Sequence, residues 1–123
     1  NAINYLSKLD MNAVHDHEIK LNKIITNKIK HLDAIEIIGP EDANQRGGIC
    51  SILMGDLPSH DIAILLDEAA NVMVRSGQHC VHSWFNARGH VNGSLRASAY
   101  FYNTEEDANL FADTFTEAVE AFS

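Results

Sequence analysis

The chain has 123 residues, of which 46% are hydrophobic and 21% are charged, a composition typical of one soluble globular domain. Its 17 acidic and 9 basic residues give a formal net charge of −8, which opposes binding to a phosphate backbone and disfavours a nucleic-acid partner. The sequence has no apolar run of the roughly 18 residues that a membrane helix needs and no signal peptide at residues 1–10. We therefore expect a cytoplasmic protein without a membrane partner.

The first third of the sequence predicts two helices and a strand. A short helix is expected within residues 2–9, and apolar residues spaced by about 3.6 predict an amphipathic helix over residues 12–31. The β-branched run at residues 35–38 predicts a strand that ends at Gly39-Pro40. The inward stripe of the long helix is expected to contain Val14, Glu18, Leu21, Ile25, Ile29 and Leu32.

The middle of the chain predicts two strands around a helix. A polar loop at residues 41–48 precedes a strand at residues 49–54, and a second strand is expected at residues 72–75. Between them a helix begins at Pro58-Ser59. The buried stripe of this helix is predicted to consist of Ile62, Leu65, Leu66 and Ala69. Residues 76–94 show no clear periodicity.

The last third predicts a strand followed by a helix. Residues 95–102 alternate so that Leu95 and Ala97 share one face while Arg96 lies on the other, polar and aromatic face. Asn103-Thr104 with three following acids predicts a capped helix start. Its apolar stripe is expected to contain Phe111, Phe115, Ala118 and Phe122. We therefore predict an α+β fold in which helices cover one face of a small sheet of three to four strands, leaving the other face for a partner domain.

The reactive side chains concentrate in residues 75–82. A cysteine thiol in general has an unperturbed pKa of about 8.5, so it is mostly protonated at neutral pH, and a positive charge such as that of Arg75 near Cys80 could raise the thiolate fraction. Cys80 is thus either a nucleophile or an inert small hydrophobic residue. The second cysteine, Cys50, alternates with apolar residues in a strand and is expected to be buried. A single disulfide in a chain without an export signal is improbable, so two free thiols are predicted.

Two other chemistries are considered for the same region. A metal site at His79, Cys80 and His82 is disfavoured, because adjacent residues of an extended chain point to opposite sides and no second ligand pair completes the site. Arg96 lies inside a strand of small and aromatic residues, where its planar guanidinium suits a carboxylate held by two parallel hydrogen bonds. A structural ion pair with one of the many acids is the alternative for Arg96.

Several segments together resemble the C-terminal small domain of fold-type I, class V aminotransferase-like enzymes, specifically the cysteine desulfurases and selenocysteine lyases. The combination of segments, in this order and at this spacing, is far more specific than any one of them. The resemblance covers nearly the whole chain. The matching segments are residues 74–80, 95–98 and 102–107, with further likeness at His17-Glu18, residues 38–40 and residues 61–67.

The resemblance implies a pyridoxal phosphate enzyme that removes sulfur from L-cysteine, leaving alanine and a persulfide on Cys80. Arg96 would then clamp the substrate α-carboxylate, with Arg75 and His79 as further substrate-binding residues. The family also implies a homodimer and a sulfur-acceptor protein, as in iron–sulfur cluster assembly. Gln78 and residues 81–85 depart from the usual pattern, which leaves open the choice of sulfur or selenium substrate and the identity of the acceptor.

The resemblance also implies a larger domain that carries the cofactor and its Schiff-base lysine. All five lysines of this chain lie within residues 1–30, outside any such motif. We therefore expect the chain alone to bind pyridoxal phosphate negligibly and to be inactive. The alternatives are a non-catalytic interaction or thiol-carrier module with this fold, and a class V aminotransferase that does not use Cys80.

Overall fold

The computed structural model describes residues 1–123 and contains five helices and a four-stranded sheet. The strand order is β1-β2-β4-β3, and every neighbouring pair is antiparallel. No helix is both long enough and apolar enough to span a membrane. The strands are β1 (Glu36–Ile37), β2 (Ile49–Leu53), β3 (Arg75–Gly77) and β4 (Ser94–Ser98). The helices are α1 (Ala2–Leu6), α2 (Met11–Ile29), α3 (Ser59–Ala70), α4 (His82–Ala87) and α5 (Glu105–Phe122).

The hydrophobic core lies between one face of the sheet and helices α2, α3 and α5. On the sheet, alternate residues point into this core, so that Cys50 and Ile52 of β2 lie beside Ala97 and Leu95 of β4. The helices contribute their apolar stripes to the same cluster. The predicted α+β architecture, with helices on one face of a small sheet, is therefore confirmed.

A buried polar network fixes the loop that leads into β2. The side-chain amide of Asn22 on α2 donates to the carbonyl oxygens of Gly47 at 2.7 Å and Ile49 at 3.2 Å. The guanidinium of Arg46 donates to Thr26 Oγ1 at 3.0 Å and to Asn22 Oδ1 at 3.3 Å. Because buried polar groups are costly unless they are paired, these bonds hold the start of β2 against α2.

The third strand begins later than the sequence predicts. The helix α3 ends with Asn71 in the left-handed conformation, at φ 53° and ψ 34°. The N–H of Val72 still bonds the carbonyl of Leu66 at 3.2 Å, so Val72 belongs to the end of the helix. The chain pairs with β4 only from Arg75 to Gly77, and the strand predicted at residues 72–75 was misplaced.

Three further details differ from the sequence prediction. The strand β4 ends at Ser98 because Asn103 closes a turn, its side-chain oxygen accepting from the Tyr100 N–H at 2.9 Å. The short helix α4 falls in the segment without periodicity, where it buries only Phe85. Two residues assigned to apolar stripes, Ala69 of α3 and Phe122 of α5, are exposed. Each exception lies at an element end or in an element too short to show a period.

The start of α5 has the predicted capping arrangement. The Thr104 hydroxyl accepts from the Asp107 N–H at 3.1 Å, and the Asp107 carboxylate accepts from the Thr104 N–H at 2.9 Å. The Thr104 backbone N–H, together with the neighbouring Asn103 and Thr104 side chains, lowers the pKa of Asp107. This reciprocal pair fixes where the helix begins, directly after the turn that ends β4.

We expect the Thr104→Ala substitution to lower the free energy of unfolding by about 1 kcal/mol, because the first turn of α5 loses its capping oxygen. Urea denaturation at neutral pH measures this change. Glu120→Ala, at an exposed position of the same helix, is the matched control and should have little effect. Equal unfolding midpoints for the two variants would contradict the capping role.

Candidate active site on the open face of the sheet

The face of the sheet opposite the helices, which we call the open face, presents Arg75 of β3 and Arg96 of β4. These two residues are directly paired across the strands. The Nε of Arg96 is buried and has no hydrogen-bond partner. The two ion pairs of the chain, Lys20–Glu105 at 3.3 Å and Lys28–Asp113 at 2.7 Å, lie on the helical layer and involve neither arginine.

The pairing of two guanidinium groups without an acid is electrostatically unfavourable. Like charges directly opposite each other destabilise an antiparallel pair, and here no carboxylate of the chain forms an ion pair with either group. An anion between Arg75 and Arg96 would relieve this repulsion and give the Arg96 Nε an acceptor. The ion pair that was the alternative for Arg96 is absent from the structure.

Cys80 lies in a tight turn directly after β3. The Val81 N–H bonds the Gln78 carbonyl at 2.8 Å, and the two central residues, His79 and Cys80, have φ values of 50° and 65°. Positive φ at both central positions is typical of a type I′ turn, which usually takes asparagine and glycine. For residues with a side chain, each such conformation costs about 1–2 kcal/mol. This strained turn places the Cys80 side chain at the surface.

His79 connects the turn to β4. Its Nε2 lies 3.0 Å from the hydroxyl of Ser94, and its Nδ1 is buried without a partner. Burial lowers the pKa of His79, and the positive charges of Arg96 and Arg75 lower it further. The imidazole is therefore neutral at neutral pH, and it adds no third positive charge to those of the two arginines.

The turn and β4 approach each other closely. Gly77 pairs with Ser94, and a side chain at Gly93 would collide with the carbonyl group of Gly77. Gly93 has a φ of 73°, in the left-handed region that favours glycine. This position therefore needs glycine for two reasons, and the contact holds the Cys80 turn beside the strand that carries Arg96.

Helix α4 and its flanking residues cover one end of the open face. Ser94 and its cross-strand neighbour Leu53 point away from the core, but both are buried. Phe85, the buried residue of α4, has its ring centre 6.4 Å from that of His79. The Gln78 amide donates to Val91 O at 2.9 Å. The segment from Gln78 to Gly93 thus folds back over this end of the open face and contacts the turn through Phe85 and Gln78.

The sequence alone did not identify Ser94, Phe85 and Gly93 as parts of this site. A serine at the start of a strand carries no sequence signal that predicts a functional role for Ser94. Phe85 lay in the segment without periodicity. Only the glycine offered a usable signal, since glycine before a strand often marks a close approach of two backbones.

The two cysteines lie in opposite environments. Both are free thiols; Cys50 is buried and Cys80 is exposed. Burial raises the pKa of Cys50 to about 11. The predictions of free thiols and of a buried Cys50 are confirmed. Cys80 is the thiol that is available for chemistry at the surface.

The residues around the turn form neither a metal site nor a complete cofactor site. No three His, Cys, Asp or Glu side chains come together as a metal cluster anywhere in the chain, and His82 is exposed on α4. The lysines do not fit pyridoxal phosphate at this face either, because they lie on or before α2 and at its end. That helix packs on the opposite side of the sheet.

The comparisons with known proteins point to one family. The model of the aminotransferase class-V family matches residues 1–111. A probable cysteine desulfurase from Staphylococcus epidermidis is 34% identical over 122 residues, and one from Synechocystis is 31% identical over 126 residues. In each case the match covers 99% of this chain and 29% of the relative.

Solved structures agree with these relatives. The apo structure of a cysteine desulfurase from Thermococcus onnurineus superimposes with a TM-score of 0.85 and 31% identity, over 97% of this chain and 29% of that one. A cysteine desulfurase from Escherichia coli has the same fold, with a TM-score of 0.85 at 22% identity over 99% of this chain and 29% of its own. The chain thus spans 29% of the length of each of these four proteins.

We expect Ellman's reagent to titrate one thiol of the folded chain rapidly and the second only after unfolding. Cys80 is exposed, whereas Cys50 is buried and has a raised pKa. The Cys80→Ala variant should lose the fast phase and Cys50→Ala should keep it. Two fast thiols, or a fast phase that survives in Cys80→Ala, would contradict the assignment.

We expect Arg96→Met to raise the pKa of His79 while leaving it below the ordinary value of 6.5, because burial is the larger cause of the shift. An NMR titration of the imidazole resonance, assigned with His79→Asn, measures this change. Arg88→Met removes an equal charge from α4's end and is the control. An unchanged His79 pKa in Arg96→Met would show that the guanidinium does not act on the imidazole.

Proposed function

Because this chain belongs to the aminotransferase class-V family, we propose that it is the C-terminal small domain of a pyridoxal phosphate-dependent cysteine desulfurase. The observation that carries the proposal is an exposed thiol, Cys80, in a strained turn beside two cross-strand arginines that have no acid partner. Since the chain spans 29% of its relatives, the activity is assigned to a larger protein of which this domain is a part.

The proposed reaction transfers one sulfur atom from L-cysteine to Cys80. The bond between the substrate Cβ and its sulfur breaks, and a bond forms between that sulfur and Cys80 Sγ. The Cβ takes up a proton and becomes the methyl group of alanine, and Cys80 carries a persulfide. The two sulfur atoms together lose the two electrons that the carbon gains, so no external oxidant or reductant is consumed.

The arginines are assigned to the substrate carboxylate. Arg96 is half-buried, its Nε lacks a partner, and its planar group can bind a carboxylate through two parallel hydrogen bonds. Arg75, directly opposite, would share the negative charge. Binding of the substrate carboxylate would therefore remove the repulsion between the two guanidinium groups, which favours anion binding at this site.

His79 is assigned a supporting role at the same site. Its contact with Ser94 orients the imidazole, and its lowered pKa keeps it neutral. A neutral imidazole leaves the charge of the site to the arginines and retains a lone pair that can accept a proton. It is adjacent in sequence to Cys80, whose thiol must lose a proton before it can act as a nucleophile.

The cofactor, partners and location follow from the family resemblance. Because the residues of this chain do not fit pyridoxal phosphate, the proposal places the cofactor on a part of the enzyme outside these 123 residues. The complete protein is inferred to be a cytoplasmic homodimer. It would pass the persulfide sulfur to an acceptor protein, for example for iron–sulfur cluster assembly.

A thiol-carrier module is the second candidate, favoured by the absence of any lysine near Cys80. Such a module would accept sulfur on Cys80 from another protein without acting on free L-cysteine. The reading frame upstream of Asn1 separates the two candidates. A cofactor-binding domain encoded there supports the desulfurase, and a start codon directly before Asn1 supports the module.

We expect the complete protein, loaded with pyridoxal phosphate, to form alanine from L-cysteine and to gain one sulfur atom on the peptide that contains Cys80. Cys80→Ala should abolish both products, because the accepting thiol is lost. Mass spectrometry and alanine quantification measure them. The matched control is Cys50→Ala, which removes the buried thiol and should leave sulfur transfer intact.

The 123-residue chain alone is the negative control, and it should show no cofactor absorbance band and form no alanine. Undiminished turnover in Cys80→Ala would instead identify a class V aminotransferase that does not use this cysteine. An absorbance band from the isolated chain with added cofactor would contradict the placement of the cofactor outside it.

A further inference from the structure

Acidic residues are absent from one long stretch of this acidic chain. None of the 17 aspartates and glutamates lies within residues 69–104. The same stretch contains three of the four arginines and three of the seven histidines. This segment therefore has a positive formal charge within a chain whose net charge is −8.

The fold gathers this segment around Cys80. It forms β3, the Cys80 turn, α4 and β4, which together make up one end of the open face. None of its three arginines takes part in an ion pair; they are Arg75, Arg88 and Arg96. Two acids reach the segment from elsewhere. Asp56 lines a small depression with residues 89–93, and the Asp107 carboxylate accepts from Asn103 and Thr104 at the C-terminal end of the segment. The segment around the thiol therefore carries arginines that no ion pair neutralises.

The same surface exposes apolar groups next to the thiol. Val81 and Val91 are 49% and 67% exposed. Trp84 is half-buried, and the guanidinium carbon of Arg88 lies 4.4 Å from the centre of its ring. Arginine and tryptophan are enriched at protein interfaces and dominate their binding energy. We call Cys80, Val81, Trp84, Arg88 and Val91 the thiol-side surface.

We propose that the thiol-side surface binds an acidic protein surface that carries the thiol which receives sulfur from Cys80. This inference rests on the proposed function for the identity of the transferred atom. The net charge of the chain repels an acidic partner in general, whereas the arginines attract it at one place. Charge complementarity of this kind steers encounters and fixes the orientation of the partner.

The transfer itself is a thiol exchange. The acceptor thiolate attacks the outer sulfur of the Cys80 persulfide, the bond between that sulfur and Cys80 Sγ breaks, and Cys80 leaves as a thiolate. The acceptor becomes the persulfide, and no electrons are exchanged with any other molecule. The exchange regenerates the free Cys80 thiol at the thiol-side surface, so binding and sulfur transfer occur at the same location.

The test uses the 123-residue chain with Cys80 converted by Ellman's reagent to a mixed disulfide with thionitrobenzoate. Two synthetic thiol peptides attack it, Glu-Glu-Gly-Cys-Gly-Glu-Glu and its glutamine counterpart, and the released thionitrobenzoate is followed by absorbance. Each rate is normalised to the rate of the same peptide with the mixed disulfide of thionitrobenzoate and mercaptoethanol. This normalisation removes differences in the reactivity of the peptide thiols.

We expect the acidic peptide to react about fivefold faster than the glutamine peptide at low salt, with the difference disappearing at high salt. Arg88→Glu should abolish the preference. Lys30→Glu makes the same charge change at an exposed position after α2 and should keep it. Circular dichroism confirms that both variants are folded.

The possible outcomes separate this inference from the proposed function. Equal normalised rates for the two peptides, or a full preference in Arg88→Glu, would overturn the docking surface and leave the desulfurase proposal standing. A folded chain whose Cys80 does not react with Ellman's reagent would overturn both, since each requires an accessible thiol. If Lys30→Glu also abolished the preference for the acidic peptide, the preference would depend only on the net charge of the chain. That result would also overturn the docking surface.

Discussion

The antiparallel pairing of β3 with β4 is the constraint on which the candidate site depends. Three residue pairs, from Arg75–Arg96 to Gly77–Ser94, join the strands. They bring together segments that lie about twenty residues apart in the chain, and they place Arg75 directly opposite Arg96. The lack of a side chain at Gly93 allows the two backbones to meet. The turn that holds Cys80 follows directly, so its position is a consequence of this register.

The candidate site contains several energetically unfavourable features, which the rest of the molecule must stabilise. Two residues with side chains adopt positive φ, two like charges face each other, and buried nitrogen atoms of His79 and Arg96 lack partners. Strain and unsatisfied polar groups of this kind persist where the surrounding structure over-determines them. Here the surroundings are a helical layer with a continuous apolar core on one side and the cover formed by α4 on the other. One face of the sheet therefore packs into the hydrophobic core, whereas the opposite face carries the candidate site.

The two cysteines illustrate this division of the sheet. Cys50 lies in the middle of β2 with its side chain in the core, where burial suppresses its ionisation. Cys80 lies outside any strand, on the side with uncompensated positive charge. Since thiol reactivity requires access, the fold itself distinguishes a buried thiol from an accessible one. The placement of the acidic residues reinforces this difference, because all of them lie outside the segment that surrounds Cys80.

The sequence by itself determined the features that are encoded over short distances. Hydrophobic periodicity predicted the long helices. The alternation of apolar and polar residues predicted which face of β4 carries Arg96, and the capping residue Thr104 with the acids that follow it predicted the start of α5. The segments at residues 74–80, 95–98 and 102–107 together carried the family resemblance, which implies that Cys80 is the catalytic cysteine. The sequence could not place β3 correctly, because whether residues 72–74 continue the helix end or enter the sheet depends on contacts with β4.

Only the tertiary structure decided which side chains meet. The pairing of Arg75 with Arg96, the contact of His79 with Ser94 and the cover formed by α4 join residues through strand register and loop geometry, which no local pattern encodes. The absence of an acid partner for the arginines was equally invisible, because a chain with 17 acids offers many candidates until their positions are known. Local sequence patterns determine helices and strands, whereas long-range packing determines which charged groups lack an ion-pair partner. The candidate site contains two such groups, the guanidinium groups of Arg75 and Arg96.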